Sequence, residues 1–95
     1  MSGTKQRLRL LNRQGGRCAY CLSDMTMQNG LNNTATRDHV KPKSRGGPSG
    51  DFNMVAACYK CNSLKGDMPL LKVLQVMTGG LPHMHPMFNH PAIEL

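Results

Sequence analysis

The sequence has no tryptophan, only 2 Tyr and 2 Phe, and 5 acidic residues against 12 basic ones. Hydrophobic residues make up 39% of its 95 positions. That length fits one domain, and a core with so few large apolar side chains needs a staple. No apolar run is long enough to cross a bilayer, and no strongly amphipathic basic helix points to a lipid surface. The N-terminal stretch is basic through Lys5, Arg7 and Arg9 but lacks the apolar core of a secretory signal. The expectation is a small cytoplasmic protein, without a membrane partner, whose cysteines stay reduced.

What is present is unevenly spread. All 12 basic residues lie between Lys5 and Lys72, whereas the last 23 residues carry one charge, Glu94. A net charge of +7 favours polyanions, above all nucleic acid. Thr4 caps an expected helix reaching Arg13, with Leu8, Leu10 and Leu11 as a partial apolar face and Gly15-Gly16 as its stop. Residues 23–33 read as loop with one helical turn, and 34–40 as a short strand. The basic stretch 41–50, Lys-Pro-Lys-Ser-Arg-Gly-Gly-Pro-Ser-Gly, is a long loop without regular structure. Strand character resumes over 53–57. A helix over 58–65 follows, stopped by Gly66, and then a short helix over 69–77 opened by Pro69. From Thr78 onward Gly, Pro, His and Met describe an irregular tail. The chain thus divides into a basic N-terminal helix (1–14), a central body (15–68) and a C-terminal helix with its tail (69–95).

Cys18-Ala19-Tyr20-Cys21 and Cys58-Tyr59-Lys60-Cys61 are two C-x-x-C pairs with 36 residues between them. Each pair sets two thiolates on one ion. Four thiolates complete a tetrahedral Zn²⁺ site with no open position, which makes its role structural. A redox or disulfide role is the alternative, and it lacks both a secretory signal and a thioredoxin-like pattern. The gap exceeds the about 15–20 residues of a compact zinc ribbon, so a whole subdomain is folded between the two halves. Metal binding supplies on the order of 10 kcal/mol toward folding.

The enclosed residues carry the chemistry. Asp38-His39 ends the first strand, Asn53 opens the second, and Asn62 directly follows the last cysteine. His39 is the one histidine of the basic body, since His83, His85 and His90 lie in the tail. A histidine, a carboxylate and a side-chain amide can hold a base and a hard cation beside a phosphate. Alone, the Asp-His dipeptide is equally a strand-end surface pair, with Asn62 a local cap. Adjacent strand residues point to opposite faces. For both to serve one site the strand must bend or end there, as Pro42 allows.

The full succession is Cys-x-x-Cys, then Asp38-His39-Val40-Lys41-Pro42-Lys43-Ser44-Arg45-Gly46-Gly47, then Asn53, then Cys58-x-x-Cys61-Asn62-Ser63-Leu64-Lys65-Gly66. It closely resembles the HNH endonuclease family over residues 15–68. The resemblance implies a small α+β fold with a ββα-metal (His-Me finger) core: two antiparallel strands joined by a long loop, then a packed helix. Here that core carries the four-cysteine zinc site and flanking short helices. By the same resemblance His39 is the general base that activates a water, and Asp38 and Asn62 are ligands of one divalent cation. Asn53 then braces the long loop through backbone hydrogen bonds and so orients His39. The sequence departs from the family name by ending in Asn62 rather than His. A neutral amide oxygen favours a hard ion, Mg²⁺ or Mn²⁺, over a catalytic zinc. The implied reaction is hydrolysis of a DNA phosphodiester to a 5′-phosphate and a 3′-hydroxyl. A single site cuts one strand at a time, so nicking by a monomer or weak dimer is expected. Small proteins resembling this family are often carried by phages, some working beside the DNA-packaging terminase in the host cytoplasm.

Lys41, Lys43, Arg45, Lys60 and Lys65 are expected around the site as phosphate contacts to double-stranded DNA, with Arg17, Arg7, Arg9 and Arg13 extending the footprint. Nothing resembles an accessory recognition module, which points to weak or short-motif specificity. The alternative function is a zinc-stabilised nucleic-acid-binding or adaptor module that has lost catalysis. The joint presence of Asp38, His39, Asn53 and Asn62 argues against it, because a pure binder needs none of them. The tail histidines have only Glu94 as a carboxylate partner, and the 8 Met residues read as core filler rather than a copper site. Cys58→Ser is expected to lose bound zinc and its cooperative melting transition together. A variant that kept both, by metal analysis and thermal denaturation, would overturn the structural role.

Overall fold

In a computed structural model that describes residues 4–68 and residue 72, the first helix, α1 (Thr4–Arg13), turns Leu10 and Leu11 inward and leaves Leu8 45% exposed. Gln14, one turn beyond Leu10 and Leu11, is the third inward position. Gly15 and Gly16 take φ of +65° and +80°, and Gly16 N–H donates to Leu11 O at 2.9 Å, which ends the helix. The expected helix over 69–77 and the tail from Thr78 lie outside the described residues, apart from residue 72.

The chain next enters the Cys18–Cys21 knuckle, where Leu22 N–H reaches back to Cys18 O at 3.0 Å. The helical turn expected within 23–33 is absent. Two isolated bridges hold this segment instead, Arg17 with Asp24 and Thr26 with Thr34. Threonine hydroxyls compete with helix here: Thr34 Oγ1 donates to Gln28 O at 2.7 Å and accepts from Leu31 N at 2.9 Å.

Strands β1 (Ala35–His39) and β2 (Met54–Cys58) pair antiparallel, with Ala35 opposite Cys58 and His39 opposite Met54. All five β2 residues are buried, because both faces of the strand are covered. Met54 and Ala56 pack against Leu10 of α1, while Val55 and Ala57 pack with Cys18, Ala19, Tyr20 and Cys61. The β2 edge remote from β1 would leave backbone groups unpaired. Gln14 covers it: its Oε1 accepts from Ala56 N at 2.7 Å and its Nε2 donates to Ala56 O at 2.8 Å. Ala19 N–H also donates to Ala56 O, at 3.1 Å.

Helix α2 (Tyr59–Lys65) starts where β2 ends. Cys58 Sγ accepts from Cys61 N, and the N–H groups of Tyr59 and Lys60 donate to Thr34 O and Asn32 O, so its first-turn donors are satisfied. Gly66, at φ +53°, ends it. The loop between the strands is more ordered than its composition suggests. It contains two single 3-10 turns, Lys43–Arg45 and Asp51–Asn53. Strand, loop, strand and helix together make the ββα core of a small α+β fold.

Gln14→Met keeps side-chain volume but leaves the Ala56 N–H buried without an acceptor. A loss of about 1–3 kcal/mol is expected in urea unfolding, whereas Leu8→Ala at the exposed face should change stability by less than about 0.5 kcal/mol.

Candidate active site and metal centre

The sulfur atoms of Cys18, Cys21, Cys58 and Cys61 lie within 4.8 Å of one another where the knuckle meets the β2–α2 junction. Backbone N–H groups converge on them. Cys18 Sγ accepts from Tyr20 N and Cys58 N, and Cys58 Sγ from Cys61 N, each at 3.4 Å. The Cys18 thiol is pushed down to about 4, chiefly by its hydrogen bond with Cys61. That same bond pushes Cys61 up, and burial raises Cys58. Like charges this close oppose one another, so four thiolates need a cation among them. The donor set fits a tetrahedral zinc, with Cys21 the exposed member and the other three buried. Among the described residues it is the one such cluster of His, Cys, Asp or Glu.

β1 runs without a bend to its last residue, with Asp38 opposite Val55 and His39 opposite Met54. Of the two expectations, bending or ending, the strand ends. A cleft of about 270 Å³ borders that end and is lined by both residues together with Arg37, Lys43, Asn62 and Lys65. Asp38 is buried, and its carboxylate accepts from the Tyr20 hydroxyl and, at 3.1 Å, from Lys65 Nζ. Burial outweighs these partners and raises its carboxyl above the usual range. Asn62 Nδ2 donates to Thr36 Oγ1 at 2.8 Å and to Arg37 O at 3.2 Å. Thr36 Oγ1 donates onward to Ala57 O at 2.7 Å. These bonds fix the amide, and among the described residues no group donates to its Oδ1. A carboxylate and a fixed amide oxygen on one cleft fit a hard divalent cation that completes its shell with water and phosphate.

His39 is half-buried, with Nε2 3.0 Å from Ser49 Oγ. Burial holds the imidazole below the usual histidine range; Lys43, Arg37 and Lys65 add to this and Asp38 opposes it. The neutral ring is the form that accepts a proton. Asn53 grips the loop that follows: Oδ1 accepts from Lys41 N at 2.9 Å, and Nδ2 donates to Lys41 O at 3.1 Å and Pro48 O at 2.7 Å. Gly47 must be glycine for this packing, since a Cβ there would sit 1.8 Å from Lys41 O. On the far side α1 holds the loop. Arg9 pairs with Asp51 at 3.1 Å, Gln6 Nε2 donates to Asp51 Oδ1 at 2.8 Å, and Arg13 donates to Asp51 O at 3.0 Å.

The cations expected to surround the site are placed less uniformly. Lys43 lines the cleft, and Lys41 and Arg45 are exposed on the same loop. Lys60 instead lines a separate groove with Cys21, Cys58 and Leu64. Lys65 requires a correction: only 1% of its side chain is exposed, because its ammonium is turned inward to Asp38 and to His39 O, at 3.0 Å. Arg17 is exposed, paired with Asp24 at 3.7 Å and donating to Leu22 O. Arg7 donates to Ala35 O, so three arginines of α1 brace the protein itself. Sequence reasoning missed Arg37, Tyr20, Thr36, Gln6 and Ser49. Strand alternation could have found Thr36, two residues before Asp38; Tyr20 was visible only as a spacer between cysteines, and Gln6 and Ser49 carry no local signal.

Lys65→Met leaves a buried carboxylate without its cation, and a loss of about 3–5 kcal/mol is expected. Adding Asp38→Asn should recover most of it in a double-mutant unfolding cycle.

The HNH endonuclease family profile matches residues 18–68. CRISPR-associated endonuclease Cas9 of Corynebacterium diphtheriae is 36% identical over 64 residues, which cover 66% of this chain and 5% of that protein. The crystal structure of the Type II-C Cas9 enzyme from Actinomyces naeslundii aligns with a TM-score of 0.68 and 31% identity, over 87% of this chain and 8% of that one. The chain therefore spans a small fraction of the length of these two relatives. The matched stretch runs from the first cysteine of the cluster to just beyond α2 and encloses every residue of the cleft: the chain belongs to the HNH endonuclease family.

Proposed function

We propose that the chain is a divalent-cation-dependent DNA endonuclease that nicks one strand, with a structural zinc on its four cysteines. The observation that carries this reading is the strand-end cleft, which brings a neutral-leaning imidazole, a carboxylate and an amide oxygen together beside Lys43 and Arg37. Family membership and kinship with CRISPR-associated endonucleases support DNA as the substrate. A terminase subunit as partner stays an expectation from the sequence.

In this reading His39 takes a proton from a water as its oxygen attacks phosphorus, and the 3′-oxygen leaves, giving a 5′-phosphate and a 3′-hydroxyl. Asp38 and Asn62 Oδ1 would hold Mg²⁺ or Mn²⁺, which neutralises charge growing on the phosphoryl and leaving oxygens. Tyr20 and Lys65 keep the Asp38 carboxylate turned to the strand end, and Thr36 keeps the Asn62 amide oxygen outward. Asn53 fixes the loop beyond His39 at Lys41 and Pro48, which limits the ways the ring can turn. Lys41, Lys43 and Arg45 supply exposed charge for the flanking phosphates, each steepening the salt dependence of binding.

The test is cleavage of supercoiled plasmid with Mg²⁺, Mn²⁺ or EDTA, followed by sequencing of ends from a defined duplex. Nicked circles that need the cation are expected, and a chain that binds DNA but never cuts it would favour the adaptor alternative. His39→Ala should lower cleavage by about 10²- to 10⁴-fold while DNA binding, read by anisotropy, persists. Unchanged cleavage by that variant would sink the assignment of the base.

A further inference from the structure

Two ring nitrogens could serve His39 as the proton acceptor, and one neighbour distinguishes them. Nε2 lies 3.0 Å from Ser49 Oγ, and among the described residues no other group hydrogen-bonds the ring. The hydroxyl is exposed, but the backbone carrying it is pinned on every side. Pro48 O accepts from Asn53 Nδ2 at 2.7 Å, Ser49 O from Gln6 Nε2 at 3.1 Å, and Gly50 O from Asn53 N at 2.9 Å. Gln6 is itself oriented by Arg37, whose Nη1 donates to its Oε1 at 2.9 Å.

We propose that Ser49 is a positioning residue that holds His39 in the tautomer protonated at Nε2, leaving the Nδ1 lone pair to receive the proton of the attacking water. This rests on the endonuclease reading above. The chemistry selects the direction of the bond. A neutral imidazole has one N–H and one lone pair. If Ser49 donated to Nε2, that lone pair would be consumed, Nδ1 would carry the N–H, and the ring would have nothing to offer a water. If Ser49 accepts from Nε2–H, the lone pair stays at Nδ1. The proton then passes from water to Nδ1 as the water oxygen bonds phosphorus and the bond to the 3′-oxygen breaks. The departing oxygen takes a proton from solvent, and His39 later returns its own. Both nitrogens of the imidazolium donate, so the hydroxyl orientation that serves the neutral ring also serves the charged one, and nothing need turn during the step.

The chain has four histidines, so ¹⁵N-histidine spectra at one fixed pH, with His39→Gln as the assignment control, read the His39 ring directly. The wild-type ring is expected to carry its proton on Nε2. In Ser49→Ala the two tautomers should mix, and kcat for plasmid nicking should fall about tenfold to a hundredfold with KM for DNA unchanged. Ser49→Thr, which keeps the hydroxyl, should restore both readouts. A wild-type ring protonated at Nδ1, or a Ser49→Ala protein with wild-type tautomer and kcat, overturns the proposal. A wild-type chain that cuts no DNA with any divalent cation sinks the endonuclease reading instead, while the ring spectra still decide the part of Ser49.

Discussion

Everything that matters in this molecule hangs from the convergence of four sulfur atoms. Their contact joins two stretches far apart in sequence, the knuckle at residues 18–21 and the β2–α2 junction at 58–61. Each stretch then leads to one member of the strand-end cleft, Asp38 or Asn62. Tyr20, sitting between the first two cysteines, reaches the Asp38 carboxylate. Asn62, one residue past the last cysteine, is held through its Nδ2 by Thr36 and Arg37 O. The cluster therefore ties down the two segments that hold the Asp38 carboxylate and carry the Asn62 amide. In a protein with so little apolar bulk, this is how order at one centre is passed to another.

The positive charge is divided between two tasks. Arg7, Arg9 and Arg13 are turned onto backbone carbonyls and Asp51, and Lys65 is committed to Asp38. What is left exposed near the cleft is concentrated on the loop after His39, at Lys41, Lys43 and Arg45. The net charge of +7 thus overstates the footprint open to a polyanion. The inward-turned cations serve the fold in another way: Arg9 and Arg13 hold the loop at Asp51, and Lys65 holds the end of β1 at Asp38 and His39 O. Burial also acts oppositely on the two neighbours: it raises the Asp38 carboxyl and lowers the His39 ring.

Much of this was legible before any coordinates. Helix α1 follows from its leucines and the Gly15-Gly16 stop, and α2 from its Gly66 stop. The strands follow from short strand-like stretches on either side of the basic loop, while the four cysteines announce their cluster by spacing. Asp38, His39 and Asn62 do border one cleft. The failures have a common cause, namely that a charged or polar side chain does not declare its partner. Lys65 reads as one more surface cation, yet a buried carboxylate one strand away demands it. Gln14 drew no reading from the sequence, yet it completes the sheet by pairing with both backbone groups of Ala56. The segment 23–33 read as partly helical because composition cannot show that the hydroxyls of Thr26 and Thr34 bond the backbone of Gln28. Residues 69–77, expected as a helix, lie outside the described residues.

The grip of Asn53 has a wider consequence. Val40 N–H already bonds Asn53 O at 2.8 Å, so the sheet itself brings the two ends of the loop together. With the ends joined, the entropy of a longer excursion grows only logarithmically, by about 0.6 kcal/mol for each doubling of length. The steric limit at Gly47 guards one point of close approach, while Lys43, Ser44 and Arg45 stand exposed outside it. Changes of length and charge are therefore cheap in the outer arc and costly at its base. Such a division lets a lineage reshape what the cleft meets while the strand end beneath it is inherited intact.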